Sequence, residues 1–194
     1  MPSLAERIKT LEGDLLADPM RISAYHDLPF AIFQYDPTEE FTCRRETALL
    51  ATRLGNGGRV VIPISLARLL WGTIEETEGL DAIVREEIEL GFDRAQRTIT
   101  TLLSDKDFKP LPNQLADLMA SLDSTRNIVF LVRAGAMAPS IYRMAKLLEE
   151  MHGRTMVPMI LFYPGDREGE TDLRFMGMTD RAQTGVYNYR VKIY

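Results

Sequence analysis

The chain has few of the residues that build metal centres and catalytic sites. Its 194 residues include one cysteine, Cys43, and two histidines, His26 and His152. A single cysteine excludes an internal disulfide and a thiolate metal cluster. A histidine metal site would need carboxylates from distant parts of the chain. We expect both histidines to be structural or solvent-facing, and Cys43 to be a small core residue on a predicted helix.

Signature motifs of common enzyme classes are also missing from the sequence. The chain contains no Gly-Lys pair and therefore no phosphate loop of the GxxxxGK[ST] type, and neither GxSxG nor HExxH occurs. The run Gly55–Gly58 follows a predicted helix and precedes a predicted strand, which is the wrong order for a dinucleotide-binding turn. We therefore expect a protein that is not an enzyme and that binds no cofactor and no metal ion.

Long apolar runs and an excess of positive charge are absent too. No stretch approaches the roughly 20 apolar residues of a membrane span, and the segment MPSLAERIK lacks the apolar core of a signal peptide. We expect a cytoplasmic protein that makes no membrane contact. The formal net charge of −5 argues against direct nucleic-acid binding, because such surfaces need clustered Lys and Arg.

The chain does contain several short apolar runs at the spacing of an α/β fold. Ile128–Val132 and Val157–Tyr163 lack polar alternation, as strands buried on both faces do. One predicted helix joins them, which indicates a parallel β-α-β unit. The same strand-helix-strand pattern occurs earlier in the chain. Its predicted strands are Leu28–Tyr35 and Arg59–Ile64, and a helix that ends at Leu54 joins them. We predict one domain over residues 1–194, with a mostly parallel central sheet between flanking helices, in a Rossmann-like three-layer arrangement.

Two regions depart from this alternation. Residues 66–123 read as a helical insertion with a break near Gly91. After the second apolar run, the acidic loop Gly165–Asp172 leads into Leu173–Met176, and this short separation predicts an antiparallel hairpin with a solvated tip. Tyr187–Ile193 alternates like an edge strand, and we predict that this carboxy-terminal edge is antiparallel as well. An exposed edge of this kind permits a homodimer.

Residues 1–17 contain a predicted N-terminal helix with a narrow apolar stripe. Ser3 and Glu6 have the spacing of a capping box. The stripe, with steps of three and four residues, is formed by Leu4, Ile8, Leu11 and Leu15. Such a stripe either packs on the helix's own domain, as amphipathic surface helices commonly do, or forms a docking face for a partner protein.

The candidate strand-end cluster consists of Asp36, Arg133, Gly135 and Asp166, at the strand ends where α/β folds bind ligands. Asp36 and the two glutamates after it would repel an anion at the next helix start, so we interpret Asp36 as a helix cap. Arg133 could hold a carboxylate or phosphate, but we favour an internal ion pair with Asp36 or Asp166. The small residues around Gly135 permit close approach of a ligand or a neighbouring loop.

Five segments occur in a fixed order along nearly the whole chain: LPFAIFQYDP at 28–37, VFLVRAGA at 129–136, LFYPG at 161–165, LRFMG at 173–177 and YR at 189–190. This series resembles the BrxB family, a small core component of bacterial BREX phage-defence systems, and the FYPG–LRFMG pair is its most specific part. The chain departs from the family at Arg133, where a glycine is usual. It departs again at Met137-Ala138-Pro139, where an aromatic-proline step is usual, and at Met144-Ala145-Lys146, where His and Asn are frequent. These differences indicate a divergent branch.

The resemblance implies a role in defence, in which host DNA is methylated and replication of unmodified phage DNA is blocked. It implies no catalytic residues, and it implies association with other BREX proteins, foremost the PglZ phosphatase-like protein. We therefore expect a non-catalytic adaptor or assembly subunit. The alternative from a different class is a ligand- or nucleotide-sensing α/β domain without a standard phosphate loop.

Overall fold

The strands of this protein form one mostly parallel sheet, as the apolar runs predict. The structure, a computed structural model, describes residues 2–22, 28–168, 172–178 and 191–194. Its strands are β1 (Phe30–Tyr35), β2 (Val60–Ser65), β3 (Asn127–Val132), β4 (Met159–Glu168), β5 (Asp172–Phe175) and β6 (Lys192–Ile193). They lie in the order β2-β3-β4-β1-β6 and are parallel along this path, while β5 pairs with β4 in the antiparallel sense.

The helices cover both faces of the sheet. They are α1 (Leu4–Leu16), α2 (Glu40–Asn56), α3 (Leu66–Glu76), α4 (Leu80–Leu90), α5 (Phe92–Ser104), α6 (Leu111–Met119) and α7 (Met144–Met151). Short 3-10 helices span Pro37–Glu39 and Ala134–Met137. Within the described residues, no helix is both long enough and apolar enough to cross a membrane.

Two hydrophobic cores lie on opposite faces of the sheet and make the fold three-layered. Phe30 and Ile32 of β1 face the larger core, together with residues of α3 to α7, while Ala31 and Phe33 face the smaller core with α1 and α2. The chain crosses the sheet in one direction from β1 to β2 and returns from β2 through β3 to β4. Right-handed crossovers then require α2 on one face and the later helices on the other.

The apolar stripe of α1 packs inside its own domain. Leu4, Ile8, Leu11 and Leu15 are all buried in the smaller core. The predicted capping box is present, because the Glu6 carboxylate accepts from the Ser3 amide at 2.7 Å and the Glu6 amide donates to the Ser3 hydroxyl at 3.3 Å. This burial corrects the docking interpretation: the sheet covers the four side chains, so they form no free face for a partner.

Polar contacts also tie α1 to the last strand. The buried carboxylate of Asp14 accepts a hydrogen bond from the Tyr194 hydroxyl at 2.8 Å and another from the Lys192 ammonium. Burial alone would raise the pKa of Asp14, but these hydrogen bonds and the nearby charges of Lys192 and Arg21 hold it below its ordinary value. Arg7 donates to the backbone carbonyls of Gln34 and Tyr194. The N-terminal helix is therefore part of the folded core.

The carboxy-terminal region differs from the prediction in two respects. β4 does not stop at Pro164-Gly165 but continues to Glu168, because residues from Gly165 onward pair with β5 in the predicted antiparallel hairpin. β6 is an edge strand, yet it runs parallel to β1. The predictions for His26, for the loop tip 169–171 and for the Tyr189-Arg190 segment lie outside the described residues.

Four helices, α3 to α6, occupy the region predicted as a helical insertion. The expected break at Gly91 separates α4 from α5, and Gly79 precedes α4. Both glycines have positive φ, 79° and 87°, a conformation that residues with a Cβ rarely adopt. The Gly91 turn allows α4 to fold back on α5 as a helical hairpin, and the Gly79 turn leads the chain from α3 into α4.

Candidate functional site

A crevice lies at the carboxyl ends of the parallel strands, the usual ligand position in α/β folds. This strand-end crevice has a volume of about 280 Å³. Its walls are Pro37, Glu40, Arg44, Ala67, Arg133, Gly135, Ala136, Pro164 and Met176. Of the four residues in the predicted cluster, Arg133 and Gly135 line it, whereas Asp36 and Asp166 do not.

Asp36 has the capping role that its position predicts. Its carboxylate accepts from the Thr38 amide at 2.8 Å and from the Thr38 hydroxyl at 2.6 Å. These two hydrogen bonds hold the pKa of Asp36 below its ordinary value. A capped and negatively charged turn offers no place for a phosphate group.

Arg133 does not form the internal ion pair that we expected. Among the residues that the structure describes, no ion pair joins it to Asp36 or to Asp166. Asp166 instead lies on the β4–β5 ladder opposite Arg174. Arg133 is exposed and has a left-handed backbone with φ 61°. A residue with a Cβ is strained there, and strain of this kind is concentrated at functional sites.

Gly135 approaches a neighbouring loop. A Cβ at this position would lie 3.6 Å from the Met176 sulfur and 3.9 Å from a carbon of Pro164, which are ordinary packing distances. The sequence left open whether the small residues after β3 approach a ligand or a neighbouring loop. In the structure, Gly135 packs against the neighbouring loop.

A second cavity, the α2 groove, continues from the strand-end crevice along helix α2. It has a volume of about 410 Å³, and its mostly apolar walls include Val61, Pro63, Phe130, Val132 and Phe162. Glu40, Arg44 and Arg133 line both cavities. Sequence reasoning missed this groove, because its walls come from α2 and four strands that are distant along the chain.

The polar groups of the α2 groove are mostly satisfied by one another. Arg44 Nε lies 2.6 Å from a Glu40 carboxylate oxygen, and the Tyr35 hydroxyl donates to Glu40. Burial raises the pKa of Cys43 to about 12, so its thiol stays protonated and is a poor nucleophile near neutral pH. The arrangement can hold an apolar group beside an anion near Arg133, but it offers no activated nucleophile. No group of three potential metal ligands occurs within the described ranges of the chain.

An exposed apolar surface lies elsewhere, on helix α4. Only Ile83 of this helix is buried, where α4 meets α5. Leu80, Val84 and Ile88 lie four residues apart along the solvent side, and Val84 and Ile88 are 46% and 78% exposed. We call these three residues the α4 stripe. Leu90 and Phe92 extend the exposed apolar surface around the Gly91 turn. The sequence pattern showed an amphipathic helix here but could not indicate which apolar side chains lack a partner.

Together, the fold and these surfaces define a three-layer α/β domain with an uncovered apolar helix face and no activated catalytic group among its described residues. Comparison with protein families gives a more specific result. Residues 62–193 match the family described as BREX protein BrxB, and the chain belongs to this family. A curated relative, BREX protein BrxB of Bacillus cereus (strain H3081.97), is 27% identical over 149 residues, which cover 74% of each chain. No solved structure matches the chain significantly.

The FYPG–LRFMG pair, on which the predicted resemblance depends most, has a structural explanation. It forms the β4–β5 hairpin, in which Gly165 pairs with Phe175. A Cβ on Gly165 would lie only 2.1 Å from the Arg174 carbonyl oxygen, so this position accepts no side chain. The Tyr163 and Phe175 rings pack edge to face with centroids 5.3 Å apart. The motif therefore builds the fold at the end of the sheet.

Proposed function

We propose that this protein is a non-catalytic assembly subunit of its BREX anti-phage system, which docks a larger component such as the PglZ phosphatase-like protein. Membership of the BrxB family identifies the chain as a BREX component. The observation that carries the docking proposal is the α4 stripe, because contiguous exposed apolar surface on a soluble fold is characteristic of protein-interaction sites.

The α4 stripe has the properties of an interface centre. Burial of an exposed Val, Leu or Ile side chain stabilises a complex by about 1.5–3 kcal/mol, so three together supply several kcal/mol before the costs of association are subtracted. Helix α4 contributes little to its own domain, since Ile83 is its one buried residue. A partner can therefore cover this face without disturbing the core.

Co-purification from cells that express the whole BREX system tests the proposal. The intact tagged chain is expected to retain PglZ, and the double variant Val84→Glu/Ile88→Glu is expected to lose at least about tenfold of the retained protein. Leu118→Glu is the matched control, because Leu118 is 51% exposed on α6 and lies outside the α4 stripe. If the intact chain retains no BREX protein, the docking function is wrong. If the double variant retains PglZ fully, the assignment of the face is wrong.

A ligand-sensing function is the second candidate, and Arg133 is the observation that favours it. Its guanidinium has no hydrogen-bonding or ionic partner among the described residues, and it lies where the strand-end crevice meets the α2 groove. Calorimetric titration with ATP, GTP and common dinucleotides, with and without magnesium, tests this function. Heat that disappears in Arg133→Gln would support it, whereas no heat across the set would exclude nucleotide sensing.

A further inference from the structure

The surroundings of the α4 stripe are strongly acidic. Between residues 75 and 90 the chain has seven acidic side chains and one basic side chain, Arg85. The acidic residues are Glu75, Glu76, Glu78, Asp81, Glu86, Glu87 and Glu89. This concentration far exceeds what the net charge of −5 over the whole chain requires, so it is a local property of the segment from the end of α3 to the end of α4.

Two of these carboxylates flank the α4 stripe on opposite sides. At about 100° per residue, Leu80, Val84 and Ile88 span an arc of about 80° on the helix surface. Glu87 falls about 20° outside one edge of this arc, and Asp81 falls about 20° outside the other. The apolar row therefore has a negative charge along each border.

These flanking carboxylates form no ion pair within the part of the chain that the structure describes. Among the described residues, no ion pair or side-chain hydrogen bond involves Asp81, Glu87 or Glu89, whereas Glu86 pairs with Arg94 at 3.0 Å. Glu87 and Glu89 also lie in the last turn of α4, which has no basic residue. Carboxylates at this end of a helix are opposed by the helix dipole. The intramolecular structure thus gives no reason for the position of Glu87 and Glu89, whereas Asp81 lies in the first turn of α4, where the helix dipole favours a carboxylate.

The charge pattern discriminates among possible occupants of the α4 stripe. In a symmetric contact between two copies of α4, like charges would face one another across the interface. An anionic lipid surface would be repelled in the same way. A segment that carries apolar side chains between lysines or arginines complements both the apolar row and its two borders.

We propose that the α4 stripe binds a basic amphipathic helix of a partner protein, whose apolar side chains cover Leu80, Val84 and Ile88 while its Lys or Arg residues pair with Asp81 and Glu87. This inference rests on the proposed docking function and specifies the chemistry of the docked segment. Electrostatic complementarity of this kind sets partner choice and association rate, while the apolar row supplies most of the affinity.

Two synthetic helical peptides of about 18 residues provide the probe. Both contain the same leucine row, and the flanking positions are lysine in one and glutamate in the other. Fluorescence anisotropy with the full chain is expected to show at least about tenfold tighter binding of the lysine peptide, weakened as salt rises from about 50 mM to about 500 mM. The variant Asp81→Lys/Glu87→Lys is expected to remove this preference.

The matched control is Asp117→Lys/Glu149→Lys, which makes the same change in net charge at exposed positions on α6 and α7. It is expected to leave the preference intact. Equal loss in both variants would mean attraction by overall charge and would overturn the inference, as would equal binding of the two peptides. A dimer in sedimentation analysis that dissociates in Ile88→Glu would instead assign the face to a second copy. Binding of the chain to anionic vesicles would instead assign the face to a membrane surface.

The outcomes for the inference and for the docking function are distinguishable. If the intact chain retains PglZ and this depends on Ile88 but not on Asp81 and Glu87, the docking function stands and the basic segment is wrong. If no BREX protein is retained although the lysine peptide binds selectively, the chemistry of the face stands and the docking function is wrong.

Discussion

The substitution Leu11→Ala separates the core role of helix α1 from a docking role. Leu11 is fully buried in the smaller core, beneath the sheet face that contains Phe33 and Phe162. Replacing a fully buried leucine by alanine removes apolar contacts and leaves a cavity, which costs about 2.7–5 kcal/mol in well-packed cores. We expect about 3 kcal/mol here, since α1 covers the outer side of the smaller core and can relax partly into the space.

Chemical and thermal unfolding followed by circular dichroism measures this loss. In a domain of this size, 1 kcal/mol shifts the melting temperature by about 2–4 °C, so Leu11→Ala is expected to melt about 6–12 °C below the parent chain. Ile88→Ala is the control. Its side chain is 78% exposed, and we expect a change within about 0.5 kcal/mol.

The opposite pattern would refute the assignment of the two apolar stripes. If Leu11→Ala unfolds like the parent chain but loses its BREX partner, α1 is a docking helix and not part of the core. If Ile88→Ala is strongly destabilised, α4 is covered within the domain and the proposed interface does not exist.

Three further predictions concern residues of the fold. Gly165→Ala is expected to cost at least about 3 kcal/mol in the same unfolding assay, since its Cβ would overlap the Arg174 carbonyl. The control, Gly135→Ala, is expected to change the free energy of unfolding by less than about 1 kcal/mol. Equal stabilities of the two variants would contradict the β4–β5 pairing. Asp14→Asn is expected to cost about 2 kcal/mol at neutral pH. Because the fold lowers the pKa of Asp14, its contribution to stability is present above the ordinary carboxyl pKa and is lost as pH falls through the lowered value. The difference in stability between the parent chain and Asp14→Asn should therefore shrink on acidification. A difference that stays constant with pH would contradict this. Cys43 is expected to resist alkylation at neutral pH until urea unfolds the chain, and rapid alkylation of the folded protein would contradict its burial.

The sheet could be predicted from the sequence because its central strands are buried on both faces. The runs at Ile128–Val132 and Val157–Tyr163 have no polar alternation, and this pattern has few explanations other than an interior parallel strand. The hairpin after Tyr163 also followed from the short connection. The continuation of β4 through Pro164-Gly165 could not be predicted from the sequence, because a Pro-Gly step ordinarily ends a strand. Here the glycine is needed for the close approach of β5.

The surfaces could not be predicted, because they depend on tertiary packing. Helices α1 and α4 both have an apolar stripe at three- and four-residue spacing, and the pattern does not tell which stripe the sheet will cover. The structure buries Leu11 and leaves Ile88 exposed. The predicted ion pair of Arg133 was wrong for a related reason. Adjacent strand ends do not determine the direction of a long side chain when its backbone is left-handed, as it is at Arg133.

Hydrogen exchange in the presence and absence of PglZ tests the central claim most directly. Alone, α4 is expected to exchange faster than α1, because little of it is buried. On addition of PglZ, we predict slower exchange at residues 80–92 and unchanged exchange at residues 4–16. Protection confined to the strand-end crevice or to α1, with no change across α4, would contradict the account.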